Sequence, residues 1–281
     1  MNTKRCLTIF SLIPLLIGLS ACNQGISNVV SVSGTPVHVE RSFAAAEVSR
    51  IDVRTKAANV QFKAGSGENI QVQVNGKFDG SEDEMDELLN TTLKRGQLAI
   101  KVGPVEGKVW NNTSLTVEVA VPAKLYDELK LEASSGNITA DKVEAGKLSA
   151  QSSSGNINVK GYSGKEYQVA ASSGNIHLEK MTGKGNVEAS SGNVDMEIDS
   201  FDESVRVHTS SGNATIRVRS DAVFRIVADT KLDRADLNIP VTLEQKEGKR
   251  KFKASVNQAT SDSPVLDVTT SSGKMILEKI K

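Results

Sequence analysis

The sequence predicts an all-β protein wound as a single-stranded β-helix, a β-solenoid with coils of about 19 residues and one short capping helix. Three observations predict it. A Ser-Ser-Gly-Asn string recurs at nearly constant spacing; the residues around it alternate apolar with polar; and the composition favours strands, with 22 Gly and runs such as NIQVQVNG (69–76) and SLTVEVAVP (114–122). At 281 residues the chain suffices for one large domain or two small ones.

The N-terminal segment stands apart from the fold. Lys4 and Arg5 precede the apolar stretch LTIFSLIPLLIGL (7–19), which is too short for a comfortable membrane span, and LSAC follows at 19–22. This run resembles the lipobox of bacterial lipoproteins, where Leu, a small residue and Ala precede an invariant Cys. The resemblance implies a lipoprotein signal peptide over 1–21, cleavage after Ala21, and lipid on Cys22 through which the chain meets the membrane. Each buried methylene contributes roughly 0.8 kcal/mol, so several acyl chains on one residue hold firmly. In Gram-negative lipoproteins an Asp after the Cys retains the protein in the inner membrane; Asn23 in that place implies the outer membrane if the cell has one. Residues 22–36 then read as a polar tether. With Cys6 removed and Cys22 lipidated, no thiol pair is left for a disulfide or a thiolate metal site.

The solenoid domain is expected over 37–281. DVRTKAANVQFK (52–63) reads as an early degenerate rung, with Ala58 where later rungs have Gly and with Val53, Val60 and Phe62 inward. SEDEMDELLNTTLKRG (81–96) is the helix-like stretch. Ser81 and Glu84 make a capping box, and Met85, Leu88, Leu89 and Leu93 share a face, so a short helix is expected to cover an end or flank of the stack.

The regular array follows. The Gly of each corner stands at 136, 155, 174, 192 and 212, in steps of 19, 19, 18 and 20, and Gly273 in a late TSSGK lies 61 further on, about three more steps. Aligned on that Gly, the columns two and four residues after it are apolar, from Ile138 and Ala140 to Ala214 and Ile216. Those five and three before it are apolar or small, from Leu131 and Ala133 to Val207 and Thr209. The columns between are polar, which is the period of a strand with one face inward.

The string itself reads as a corner between strands. Gly136, Gly155, Gly174, Gly192 and Gly212 are expected to supply a backbone region closed to other residues, and Asn137, Asn156, Asn175, Asn193 and Asn213 to tolerate the left-handed region. Coils stacked about 4.8 Å apart would place these Asn in one ladder and the Ser beside them in another. A nucleophilic Ser or a phosphate loop is needed once, and no His column accompanies these. After Ile216 the period blurs; 218–262 has no rung assignment, and 224–256 is expected to hold longer rungs or a hairpin.

Together the SSGN rungs, the acidic insertion before them and the ending PVTLEQKEGKRKFKAS…SPVLDVTTSSGKMILEKI resemble the bacterial putative-adhesin domain family, β-solenoid domains with no assigned biochemical function, over about 37–281. ADTKLDRAD (228–236) departs from that family by lacking an SSG corner.

Lys plus Arg equals Asp plus Glu at 34 each, so no net field favours nucleic acid, and none is assigned as a partner. His177 and Asp195 share an outward column near Glu179 and Glu197. This could be a hard-cation site, but Lys160 beside Glu179 and Glu197 beside Arg217 describe a solvated β face more simply, so no metal is assigned. His38 and His208 have no visible partner. EGKRKFK (247–253) could touch anionic lipid or polysaccharide, yet Gly248 and the Lys251-Phe252-Lys253 alternation read more simply as a turn and an exposed strand. Trp110 reads as packing rather than sugar stacking.

Two functional classes remain, and neither calls for a cofactor. The first is a lipid-anchored, non-catalytic binding, adhesin-like or structural module of the cell envelope, with an envelope protein or glycan as partner. The second is a polysaccharide-acting β-helix enzyme, a lyase or hydrolase. Such an enzyme should break its repeat with clustered carboxylates or basic residues in a groove. Only Asp195, Glu197 and Asp199, on one strand, approach this, so no catalytic residue is assigned and binding leads.

Overall fold

Alternating side chains leave each strand one apolar face, and here two sheets bury those faces against each other. The computed structural model describes residues 34–78, 87–103, 114–248 and 250–280. Each coil gives one strand to a leading sheet, before the SSGN corner, and one to a trailing sheet, after it. In the leading sheet Tyr126–Ala133, the second half of Ile138–Ser152, Glu166–Ala171, Lys184–Ala189 and Val205–Thr209 pair in parallel. In the trailing sheet the first half of Ile138–Ser152, Ile157–Ser163, Ile176–Met181, Val194–Ile198 and Ala214–Val218 do the same. The columns predicted to point inward are buried: Ile138, Ile157, Ile176, Val194 and Ala214 are each at most 1% exposed.

At both ends the order in space departs from the order in sequence. The degenerate rung, Arg50–Thr55 and Asn59–Gly65, lies between the rung of Tyr126–Ala133 and the strands Gln97–Val102 and Ser114–Pro122, which come later in the chain but sit further out. At the opposite end Val265–Thr270 and Met275–Lys279 are inserted between the rung of Val205–Thr209 and an outer rung made of Phe224–Asp229 and Ala235–Leu237. Gly273 is therefore one corner beyond Gly212, not three. The interval of 61 residues contains the outer rung and a hairpin. The stretch 228–236, which lacks SSG, does form a rung, and the 3-10 turn Leu232–Arg234 replaces its corner.

Antiparallel strands close the stack. Asn69–Phe78 and then Thr35–Ala44 extend the trailing sheet beyond Ser114–Pro122. Lys251–Val256 and then Thr242–Glu247 extend the leading sheet beyond Phe224–Asp229, so the basic run at 247–253 is the turn and strand of a hairpin.

Of the helix expected over 81–96, Glu87 is helical, but the stretch is corrected from Leu89 on: Leu89–Lys94 is a strand, antiparallel to Gln97–Val102. Arg95 and Gly96, at φ 49 and 76, make the two-residue turn that folds it back. Asn90, Thr91 and Thr92 are poor helix formers, and the neighbouring strand edge gives their backbone groups partners that local helical periodicity could not outweigh. Residues 81–86 lie outside the described residues.

The corner glycines are required for a reason other than the one the sequence suggested. None of Gly136, Gly155, Gly174, Gly192 and Gly212 has a positive φ, and neither do the Asn that follow them. What excludes a side chain is the corner below. A Cβ on Gly155 would lie 2.0 Å from the Gly136 carbonyl oxygen, one on Gly174 2.0 Å from that of Gly155, and one on Gly273 1.9 Å from that of Gly212. Ala58 of the degenerate rung stands in the same column, with its own carbonyl oxygen 2.0 Å from where a Cβ of Gly136 would fall.

Gly174→Ala is accordingly expected to destabilise by about 3 kcal/mol, since rigid backbone must move aside. Gly67→Ala, at φ +95 with nothing near its Cβ, should cost about 1 kcal/mol. Urea unfolding of the two variants checks the order; equal losses would contradict it.

Candidate functional site

The polar corner edge is the most regular surface of the molecule. Its backbone bonds run up the stack: the Ser154 N–H donates to Ser134 O at 2.9 Å, Ser173 to Ser153 O at 2.9 Å, and Ser272 to Ser210 O at 3.0 Å. The Asn side chains add a second line. The backbone N–H of Asn156 donates to Asn137 Oδ1, that of Asn175 to Asn156 Oδ1, that of Asn193 to Asn175 Oδ1 and that of Asn213 to Asn193 Oδ1, each at 2.9 Å. Asn59 of the degenerate rung starts the line by accepting from Asn137 N–H, and Lys274 N–H ends it on Asn213 Oδ1, both at 2.9 Å. Each bend thus gives its orphaned amide a carbonyl from the rung below.

The ladder also has a built end. Where the outer rung offers no Ser-Ser-Gly, guanidinium groups replace the missing amides: Arg234 Nη1 donates to Ser272 O at 2.6 Å and Arg250 Nη2 to Thr270 O at 3.1 Å. Arg250 lies in the basic run at 247–253 that the sequence marks, where it reads as part of a turn; Arg234 was not singled out, although it stands in the segment that lacks the motif.

The outward trailing face gathers His177, Glu179, Asp195, Glu197, Arg217 and Glu278. His177 Nε2 lies 2.7 Å from Glu179 Oε1, with Nδ1 3.9 Å from Asp195 Oδ2. Glu197 and Glu278 are both register partners of Arg217, on its two sides; the guanidinium bonds Glu278 directly across, through Nε at 2.9 Å, and reaches diagonally to Asp195 rather than to Glu197. Hydrogen bonding to Asp195 raises its pKa further, so it stays charged. Among the described residues no group of three or more His, Cys, Asp or Glu is placed to hold a metal ion. His38, expected to be alone, has its Nδ1 2.6 Å from Asn75 Oδ1 on the neighbouring strand.

Concavities lie at several places on the described surface, one of them at the corners beside Ser134 and Ser153 and another along the edge opposite the corners. An open depression of about 670 Å3 is lined by Asp199, Phe201, Asp202, Arg219, Asp221 and Pro264, among others. Arg219 forms a two-point pair with Asp221, at 3.1 and 3.2 Å, which lowers the carboxyl pKa, and Phe201 stacks on Phe224 with centroids 4.3 Å apart. Along the same edge three tyrosines turn inward. Burial pushes the phenols of Tyr126 and Tyr162 up to about 12, and that of Tyr167 up as well. Tyr162 Oη donates to Glu166 O at 2.6 Å, whereas Tyr167 Oη finds no partner among the described residues. Cys22 and Trp110 lie outside the described residues.

The family description Toastrack DUF4097 matches residues 48–278. No curated protein matches the chain. Among solved structures, the chain is similar to a putative adhesin from Bacteroides fragilis at 13% identity, covering 87% of this chain and 97% of that one, with a TM-score of 0.46. It is also similar to a putative lipid binding protein from Parabacteroides distasonis at 16% identity (87% and 97% covered, TM-score 0.38). A third is a putative cell adhesion protein from Clostridium sporogenes at 13% identity (87% and 99% covered, TM-score 0.37).

The tyrosines give a test of the burial. Tyr162→Phe removes a satisfied buried bond and should cost about 1 kcal/mol, while Tyr167→Phe should cost nothing or stabilise. An unfolded phenol loses its proton from about pH 10, whereas Tyr126 and Tyr162 hold theirs in the fold to about 12. The unfolded chain is therefore favoured as pH rises, and stability should fall between about pH 10 and 12. Urea midpoints across that range should drift less in Tyr126→Phe and Tyr162→Phe than in the parent; equal drift would contradict the assignment.

Proposed function

The chain belongs to the Toastrack DUF4097 family, and on that footing we propose that it is a lipid-anchored, non-catalytic binding or structural module of the cell envelope, adhesin-like in its mode of use. One observation carries the reading: the regular features of the fold are surfaces rather than a cleft. The serines repeat at each SSGN-type corner in a backbone ladder, with none set apart by a neighbouring base. Asp195, the first of the three carboxylates that an enzyme would have to use, is tied to Arg217. A stack with flat flanks and a hydrogen-bonded edge suits repeated weak contacts with an extended partner such as an envelope protein or glycan.

The anchor rests on LSAC at 19–22, which supports cleavage after Ala21 and acylation of Cys22; Asn23 supports the outer membrane where the cell has one. The polysaccharide-acting alternative would require, facing one groove, a water-activating carboxylate and a proton donor for a hydrolase, or a proton-abstracting base with basic groups to neutralise a uronate carboxylate for a lyase.

Radiolabelled palmitate should enter the parent chain and not Cys22→Ala, and an unlabelled parent would defeat the anchor. Screening the purified protein on a glycan array, with a turnover assay on whatever binds, should give retention without cleavage. Cleaved glycan would make the protein an enzyme.

A further inference from the structure

The core is filled rung over rung, but at one place neighbouring strands part. Asn59–Gly65 pairs with Ile138–Ser152 only from Val60 to Phe62, opposite Ile138 to Ala140, and then stays with Ser114–Pro122 until Gly65 lies beside Pro122. The longer strand instead bends at Lys142, whose φ is 55, and enters the leading sheet, where Ala145 lies beside Tyr126. A gap opens between them. In the next two rungs the same column carries Tyr162 and Met181, and the Tyr162 phenol reaches Ala145 O at 3.0 Å and Glu166 O at 2.6 Å. Where the strands part, that column has only Val143.

The space left is a pocket of about 120 Å3 walled by Phe62, Val121, Tyr126, Leu129 and Val143, each at most 5% exposed. Close-packed interiors hold few such voids. An apolar cavity of about 150 Å3 stays dry and takes benzene, so this one suits a single ring or about five branched carbons. The charged residues beside it are Lys124, Lys142 and Glu144. Lys142 and Glu144 are both exposed, opposite in sign and screened by water. Lys124 is half-buried: its Nζ donates to Ala45 O at 2.5 Å and Val48 O at 2.6 Å and lies 4.8 Å from the centroid of the Tyr126 ring. Two carbonyls and a ring face therefore hold this ammonium without a carboxylate among the described residues, and one of its three N–H donors is left over.

We propose that this pocket binds a small organic acid, with a single ring or short branched chain against Phe62, Leu129 and Val143 and the carboxylate on Lys124. Burial of the apolar end and a charge-assisted bond to an ammonium already drawn out of bulk water both favour such a ligand. Neither the lipid anchor nor the corner edge takes part. The neutral amide of the same acid fills the space equally well but gains only an ordinary hydrogen bond, so acid and amide should differ in affinity.

The test is a titration of the purified protein, labelled with carbon-13 at its Leu and Val methyl groups, with phenylacetate, phenylacetamide and a short peptide ending in phenylalanine. Saturable shifts at Val121, Leu129 and Val143 are expected with the first two, the acid binding about tenfold more tightly. Lys124→Met keeps the aliphatic stem and should bring acid and amide to equal affinity. Val143→Phe places a ring of the protein's own in the space. It should abolish both titrations and leave the thermal midpoint unchanged or higher, which separates a filled pocket from a misfolded chain. The acid and amide comparison is made on the parent chain, so it decides the matter even where Lys124→Met fails to fold. Unmoved methyl groups, equal affinity of acid and amide for the parent, or binding that survives Val143→Phe would overturn the proposal. So would shifts produced by the peptide alone, which would make the pocket a protein-docking site.

Discussion

The close stacking of one corner on the next is the constraint from which the remaining architecture follows. Each corner carbonyl occupies the place where the following Gly would have carried a side chain. That approach puts successive bends one strand spacing apart, and the strands on either side then pair in register without shifts through most of the stack. With register fixed, each inward side chain lies over its equivalent in the next rung, so Ile138, Ile157 and Ile176 build one apolar column and Leu131, Ala150 and Val169 another. A slip of one residue would turn both columns to solvent, which ties the bland corner to the core energetically.

A parallel stack has the opposite problem at its ends, where an unpaired edge invites further strands. Here the first and last rungs of the sequence are not the first and last rungs of the stack: each is flanked on both sides, and its outer neighbour comes from later or earlier in the chain. The rungs of Arg50–Thr55 and Val265–Thr270 can therefore fray only after strands from elsewhere in the sequence have been released. Antiparallel strands then cover the outer rungs, and Arg234 and Arg250 satisfy the corner carbonyls left over where the motif stops.

What could be read from the sequence was what repeats. The corner Gly, the Asn after it and the apolar columns recur at a fixed offset, so the coil length and the inward face were legible, as was the degenerate rung at 52–63 despite its Ala58. The reason for the Gly was not, because a close approach between distant residues and a strained φ leave the same letter in a sequence. Gly273 was misplaced because chain distance was taken for stack distance, and nothing local at Val265–Thr270 says that an earlier segment lies outside it. The strand Leu89–Lys94 was read as helix because Leu88, Leu89 and Leu93 also fit a helical face; Arg95-Gly96 was the contrary signal. The charged face was legible as columns, but the diagonal reach of Arg217 to Asp195 depends on side-chain geometry that register alone does not give, and its direct partner Glu278 was missed because Gly273 had been placed three corners away.

Native-state hydrogen exchange at the corners tests the account most directly. The backbone amides of Asn156, Asn175 and Asn193 belong to exposed residues, yet each donates at 2.9 Å to the Asn of the rung below. If stacked corners hold the coil in register, these amides should exchange as slowly as those of the buried strand residues Val169 and Val187 and be released together with them. Exchange as fast as in the open turn at 66–68, with the strand amides still protected, would mean that the corners only connect the strands, and the constraint placed on them here would be wrong.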